Sequence, residues 1–190
     1  SYNHYEEMEA LVSQHYIGVI KMEVQRNEPP ADGFLEKVRQ LATERGIVLI
    51  FDECTSGFRE TFGGLHKKFE VEPDMAIFGK ALGNGYAITA VIGRREVMEA
   101  AQSTFISSTF WTERIGPTAA LKTLEVMGRE KPWEQITQTG LNIRDGWQKL
   151  ADQHGLDISH WGLPSLTGFT IQSEHALTYK TLITQEMLAK

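Results

Sequence analysis

The chain has 190 residues and carries 19 lysines and arginines against 25 aspartates and glutamates, a formal charge of −6. At roughly 150 residues per domain it makes one domain, or one and part of another, large enough to bury a core. A lone cysteine, Cys54, excludes an internal disulfide framework and a Cys-rich zinc site, and the acidic balance argues against nucleic-acid binding, which needs a basic stripe. No apolar run approaches the roughly 18 residues of a membrane span. The opening residues, Ser1 to Glu7, lack the basic and apolar regions of a signal peptide, so a soluble cytoplasmic protein is expected.

In chain order, Tyr16–Glu23 reads as a strand ending in an acid. The stripe Leu35, Val38, Leu41 and Ala42 reads as a helix face, entered through Pro29, Pro30 and Asp32. Gly46 to Glu53 is the strongest strand signal. Its five consecutive apolar residues suit a strand buried on both faces of a parallel sheet, and it stops at two carboxylates. Met75–Phe78 is a further strand running into Gly79-Lys80, followed by the turn Gly83-Asn84-Gly85 and a strand at Ala87–Gly93.

Helices are expected at Arg95–Gln102 and Pro117–Met127, the latter opened by proline in its first turn. The spacing of Trp133, Ile136, Gly140, Ile143, Trp147 and Leu150 predicts a helix over Pro132–His154, with Gly155 as its stop. Ser165–Ile171 reads as a strand and Ala176–Ala189 as a last helix. The α/β alternation changes near Pro132, which places a domain boundary there, dividing the chain into 1–131 and 132–190.

Buried parallel strands present their C-terminal ends to a ligand crevice. Three features fall at such places: Asp52-Glu53, Lys80 beside its glycines, and the hydroxyl-rich run Ser107-Ser108-Thr109-Phe110-Trp111-Thr112 before a helix start. A desolvated lysine can be a nucleophilic amine, a buried aspartate favours a cationic ring nitrogen, and hydroxyls near a helix start suit a phosphate. Together they match what pyridoxal phosphate requires. Each also has a plainer reading: Asp52 capping a turn, Glu53 pairing with Arg59, Lys80 solvated, Thr109 and Thr112 bonding their own loop, Cys54 a small buried thiol.

Rival motifs fail. A P-loop would need glycine where Asp74 stands, no G-x-S-x-G elbow occurs, and the six histidines show no H-E-x-x-H pairing.

The run Asp52-Glu53-Cys54-Thr55-Ser56-Gly57-Phe58-Arg59, followed by Gly79-Lys80-Ala81-Leu82-Gly83-Asn84-Gly85 and by Thr109 to Pro117, carries a resemblance. The sequence resembles the class III family of pyridoxal-phosphate-dependent aminotransferases, most closely its glutamate-1-semialdehyde aminomutase branch, over essentially its whole length. The resemblance implies a fold-type-I α/β large domain, with a mostly parallel sheet flanked by helices and incomplete at its N-terminal side, plus the start of a small α+β domain.

It also implies pyridoxal 5'-phosphate as cofactor, a small-molecule amino donor and acceptor, and a homodimer. Lys80 corresponds to the lysine that forms the cofactor Schiff base and shuttles the substrate proton, and Asp52 to the carboxylate that keeps the pyridine nitrogen protonated. Cys54 stands where an aliphatic residue lies against the ring. Thr112, with Thr109 as the alternative, corresponds to the threonine that reaches the phosphate across the dimer.

Glu23 resembles the acid of an E-P-x motif, with Val24 in place of proline. Family members are roughly twice as long, so the chain reads as an internal fragment, expected to be inactive in isolation. Three readings follow: amino transfer between two substrates, an intramolecular 2,1-aminomutase, or a silent fragment that keeps the fold.

Overall fold

The computed structural model describes residues 1–107, 109–110 and 112–189. Two expected loop residues, Ser108 and Trp111, lie outside that set. The elements are α1 (Tyr5–Gln14), β1 (Val19–Glu23), α2 (Phe34–Arg45), β2 (Val48–Asp52), β3 (Met75–Phe78), β4 (Ala90–Gly93), α3 (Arg95–Met98), α4 (Ile115–Glu130), α5 (Pro132–Gln153), β5 (Ile158–Trp161), β6 (Gly168–Ile171) and α6 (Ala176–Leu188). Short 3-10 turns fill Leu65–Phe69, Lys80–Leu82, Glu99–Ser103 and Pro164–Leu166.

The first sheet runs β1-β2-β3-β4, with β1, β2 and β3 parallel and β4 antiparallel to β3. The helix α2 forms because Phe34, Leu35, Val38, Leu41 and Ala42 share one buried stripe. It stops at Gly46, whose φ of 65° lets its N–H turn back to the carbonyls of Ala42 and Thr43. That stripe packs on Leu49 and Phe51 of β2, with Val24, Leu65, Val71 and Leu163 completing the main core. Each such apolar side chain contributes about 1.5–3 kcal/mol when fully buried.

Several expectations change at the element level. Expected to be covered on both faces, β2 instead alternates: Leu49 and Phe51 are fully buried, whereas Val48 and Ile50 are half-buried on the other face. Of Ala87–Gly93, only Ala90–Gly93 pairs. The segment expected as one helix from Arg95 splits into a single α-helical turn and a 3-10 turn. Pro164–Leu166 forms a turn, so the last strand begins at Gly168 rather than Ser165.

Two elements, α1 and β5, are not marked by the hydrophobic pattern: α1 buries only Val12, and β5 is four residues long with mixed polarity. On α5 the expected stripe is partly covered. Trp133 meets Phe62 at 6.0 Å and Trp147 meets Phe169 at 5.0 Å, while Ile143 and Leu150 stay exposed.

The hairpin β5–β6 lies against α5, which reaches the Pro164 turn at Gly140. A Cβ there would sit 1.9 Å from the Pro164 carbonyl oxygen, so only glycine allows the approach. Arg144 fastens the same contact by donating to Thr167 Oγ1 at 2.5 Å and to the Gly162 carbonyl at 2.6 Å. Lys131, at φ 49°, turns the chain between α4 and α5. Contacts cross that turn: Leu163 belongs to the main core, and the Gly162 N–H bonds the Asn27 carbonyl at 2.8 Å.

Candidate active site

Because β2 and β3 are parallel neighbours with Asp52 opposite Ile77, their C-terminal ends lie at one level, and the Glu53 N–H bonds the Ile77 carbonyl at 2.8 Å. The chain leaving β2 therefore runs beside the chain leaving β3, Gly79-Lys80. Asp52 and Glu53, one residue apart, point to different surroundings, as alternation along a strand requires.

Glu53 is fully buried. It accepts from the Ser56 hydroxyl, from His66 N–H at 3.0 Å and from His66 Nδ1 at 2.9 Å, the ring nitrogen donating as the bond to a carboxylate requires. Burial alone would push its carboxyl up, but the bonds from His66 and Ser56 outweigh that and hold it below the usual range. The expected pairing of Glu53 with Arg59 is replaced by this network: His66 and Ser56 use its lone pairs, and Arg59 Nε instead donates to the Thr55 carbonyl at 3.3 Å.

Asp52 ends β2 with a partly exposed side chain. One carboxylate oxygen accepts the Cys54 N–H at 3.1 Å, and the other pairs with Lys21 of β1 at 2.8 Å. The Lys21 hydrogen bond is the largest cause holding Asp52 below the ordinary carboxylate range. Asp52 is thus a fixed anion rather than a simple turn cap, although it caps Cys54 as well. Cys54 lies between the two candidate groups: burial and then the Asp52 charge push its thiol up, while Lys80 pulls it down. A Cβ at Gly79 would come within 3.3 Å of the Cys54 sulfur, so glycine there keeps β3 close to the Asp52 turn.

Lys80 has φ 45°, a left-handed conformation that a non-glycine residue adopts at a cost. Its Nζ donates to Thr55 Oγ1 at 2.6 Å, and the residue opens onto two clefts of about 750 and 780 Å³. The first is walled by Tyr86 to Thr89, Phe110, Glu113 and Pro117; the second reaches Arg59 and α4. Asp52, Cys54 and Lys80 are therefore brought together.

Thr109 and Thr112 lie exposed on the loop that supplies Phe110 and Glu113 to the first cleft. The N-terminus of α4 is capped by this chain's own carboxylate, Glu113, which accepts from the Ile115 N–H and from the Gly116 N–H at 3.1 Å. Glu23 sits directly beside Asp52 in the register of β1 and β2, and it lines a separate cavity of about 470 Å³ with Tyr2, His4 and Arg26.

Lys21 and Thr55 were not singled out from sequence, and Arg59 was expected only as a partner for Glu53. Lys21 is a charge interrupting an otherwise apolar strand run, and that interruption was its signal. Thr55 and Arg59 lie inside the recognised motif, but nothing in their spacing says that one residue holds both an amine and a guanidinium.

The amine, the ionised carboxylate and the intervening thiol suit a cationic aromatic ring carrying an aldehyde. The family model for class-III aminotransferases matches residues 22–181. This chain belongs to that family. Among class-III relatives, the 3-aminobutyryl-CoA aminotransferase of Cloacimonas acidaminovorans is 39% identical over 82% of this chain and 38% of its own length. The glutamate-1-semialdehyde 2,1-aminomutase of Natranaerobius thermophilus is 33% identical over 83% of this chain and 39% of its length. The chain spans about two fifths of the length of these curated relatives.

Among solved structures, the FumI protein of Sphingopyxis sp. MTA144, described as a PLP internal aldimine form, superposes with a TM-score of 0.86 at 25% identity. It covers 93% of this chain and 44% of that one. An omega-transaminase from Sphaerobacter thermophilus gives 0.79 at 26% identity, covering 92% and 42%. The fold is accordingly that of the class-III large domain, a mostly parallel sheet flanked by helices.

Proposed function

We propose that this chain carries the catalytic centre of a pyridoxal 5'-phosphate-dependent amino-group transferase. The observation that carries the reading is the convergence of Lys80 and Asp52 at adjacent strand ends, linked through Cys54 and Thr55. When bound, pyridoxal phosphate supplies an aldehyde carbon and an electron-withdrawing ring. Lys80 Nζ is the nitrogen that binds that aldehyde and, once freed, the base that moves the proton at the substrate carbon bearing nitrogen. The Asp52 carboxylate holds a proton on the ring nitrogen, a charge-assisted bond favoured by its ionised state. Cys54 would lie against the ring, and Thr55 Oγ1 holds the free amine in place.

Because Glu113 already caps α4, the phosphate is assigned to the hydroxyls of Thr112 or Thr109, reaching across a homodimer. Exposed apolar residues such as Phe105, Ile106 and Leu121 support that assembly. Among the described residues no helix is long and apolar enough to cross a membrane, in keeping with a cytoplasmic location. We assign residues 1–131 to the large domain and 132–190 to the connecting helix and the start of the small one.

A second reading, intramolecular 2,1-amino transfer, is favoured by the aminomutase relative. The test is turnover in the full-length protein. Lys80→Ala abolishes both the visible cofactor band and activity, and retained activity overturns the assignment. A requirement for a second substrate separates transferase from mutase, and absence of any band in the wild type leaves the silent-scaffold reading standing.

A further inference from the structure

The larger of the two clefts at Lys80, about 780 Å³, carries a charge pattern that the amino-transfer chemistry does not use. Its lining includes three cations, Arg59, Lys80 and Lys122, and no aspartate or glutamate among the described residues, in a chain whose net charge is −6. Lys122 is already neutralised by Glu125 at 2.7 Å. Arg59 is not: among the described residues no carboxylate comes within 4.0 Å of it, and its hydrogen bond goes to the uncharged Thr55 carbonyl at 3.3 Å. Burial with no compensating anion draws its guanidinium down from the usual arginine range. A half-buried guanidinium with donors left over is costly unless an anion arrives to use them.

Thr55 fixes where that anion would sit. Its hydroxyl holds Lys80 Nζ at 2.6 Å and its carbonyl holds Arg59 Nε at 3.3 Å, so the amine and the guanidinium hang from two oxygens of one residue. Beyond them the cleft turns apolar, with Ala119, Val126, Met127 and Ile136 along α4 and α5.

We propose that Arg59 is the substrate-carboxylate anchor of this site. The substrate class is an amino or keto acid whose carboxylate lies a few bonds from the reacting carbon and whose apolar chain rests on Val126, Met127 and Ile136. The planar fork of arginine suits a carboxylate bidentately, and Nε remains tied to Thr55 while the terminal nitrogens face the ligand. The inference deepens the amino-transfer reading and rests on it for the words substrate and reacting carbon.

The test uses the chain without pyridoxal phosphate and a probe that cannot transfer nitrogen: 4-methylpentanoate, with its neutral amide as the comparison, titrated by NMR with the Arg59 Nε–H signal as reporter. The carboxylate is expected to shift that signal and to bind about tenfold more tightly than the amide, the size of one charge-assisted contact. Arg59→Gln brings the preference to near unity, Arg59→Lys retains part of it, and Arg129→Gln on the exposed side of α4 leaves it unchanged. Equal binding of acid and amide by the wild type, or an undiminished preference in Arg59→Gln, overturns the proposal. The wild-type shift decides the matter even if the glutamine variant fails to fold. Because neither probe nor buffer contains an aldehyde, the outcome is independent of whether Lys80 takes a cofactor.

Discussion

Residues 52–66 and residues 84–107 each lend part of a Lys80 cleft wall, Phe58 and Arg59 from the first and Asn84 to Thr89 from the second, and they differ in what holds them. The first segment is anchored by Glu53, Ser56, Phe58, Leu65 and His66, all buried, with the Glu53 carboxylate satisfied by a hydroxyl, a backbone N–H and a ring nitrogen. The second is exposed almost throughout: Tyr86 is 58% accessible, Ile92 57% and Phe105 94%. The groups assigned chemistry sit on or against the anchored segment, whereas the open one supplies cleft wall. Precise placement of Asp52 and Lys80 is thus inherited from a buried network that takes no part in the reaction, and the wall is left free to meet a second surface.

Mutation should separate the two segments sharply. Glu53→Ala leaves the His66 ring and the Ser56 hydroxyl buried without their acceptor, and is expected to cost about 3–5 kcal/mol in denaturant unfolding. A loss below about 1 kcal/mol would mean that the network does not hold the loop.

A smaller effect is expected one residue earlier. Since Lys21 is the main cause of the depressed Asp52 carboxyl, Lys21→Met should raise the pH at which Asp52 titrates, read by carboxyl carbon NMR. The sign follows from linkage: a depressed carboxyl stabilises the fold above its unfolded value, near 3.9, and that contribution is lost as pH falls through the folded value. In Lys21→Met that contribution is smaller and is fully lost at a higher pH, and added salt narrows the difference because Lys21 is exposed. An unchanged Asp52 titration would put the ion pair out of the account. The smallest effect belongs to the open segment: Phe105→Ser should alter stability of the monomeric chain by no more than about 0.5 kcal/mol. A larger loss would mean that the side chain is covered in solution.

What was readable in the sequence follows the same division. The apolar run into Asp52 and the helical stripe of α2 mark buried elements, because burial imposes a period. The Asp52–Arg59 and Gly79–Gly85 motifs identify the family and bring Lys80 and Asp52 to neighbouring strand ends.

Period alone does not mark α1, which buries one residue, or β5, whose four positions are too few to alternate convincingly. Nor could it show that β2 has one face only half-covered, since a run of apolar residues looks the same either way. Contacts between segments distant in sequence were invisible for a different reason. Lys21 with Asp52 and His66 with Glu53 each need the chain to be folded before either partner is near the other. At Glu113, a carboxylate placed two and three residues before the N–H groups it caps was a local signal, masked by the neighbouring threonines.

The central claim, that Lys80 and Asp52 serve one bound ring, is tested most directly by trapping. The chain is mixed with pyridoxal phosphate and reduced with borohydride, and the pyridoxyl label is mapped by peptide mass spectrometry. Trapping requires only transient condensation, so a partial cofactor seat suffices. The account predicts that Lys80, itself exposed, is labelled well ahead of other exposed lysines such as Lys131 and Lys149, and that Asp52→Asn removes this advantage. Labelling of Lys80 at the rate of those surface lysines, or an advantage indifferent to Asp52, would contradict it.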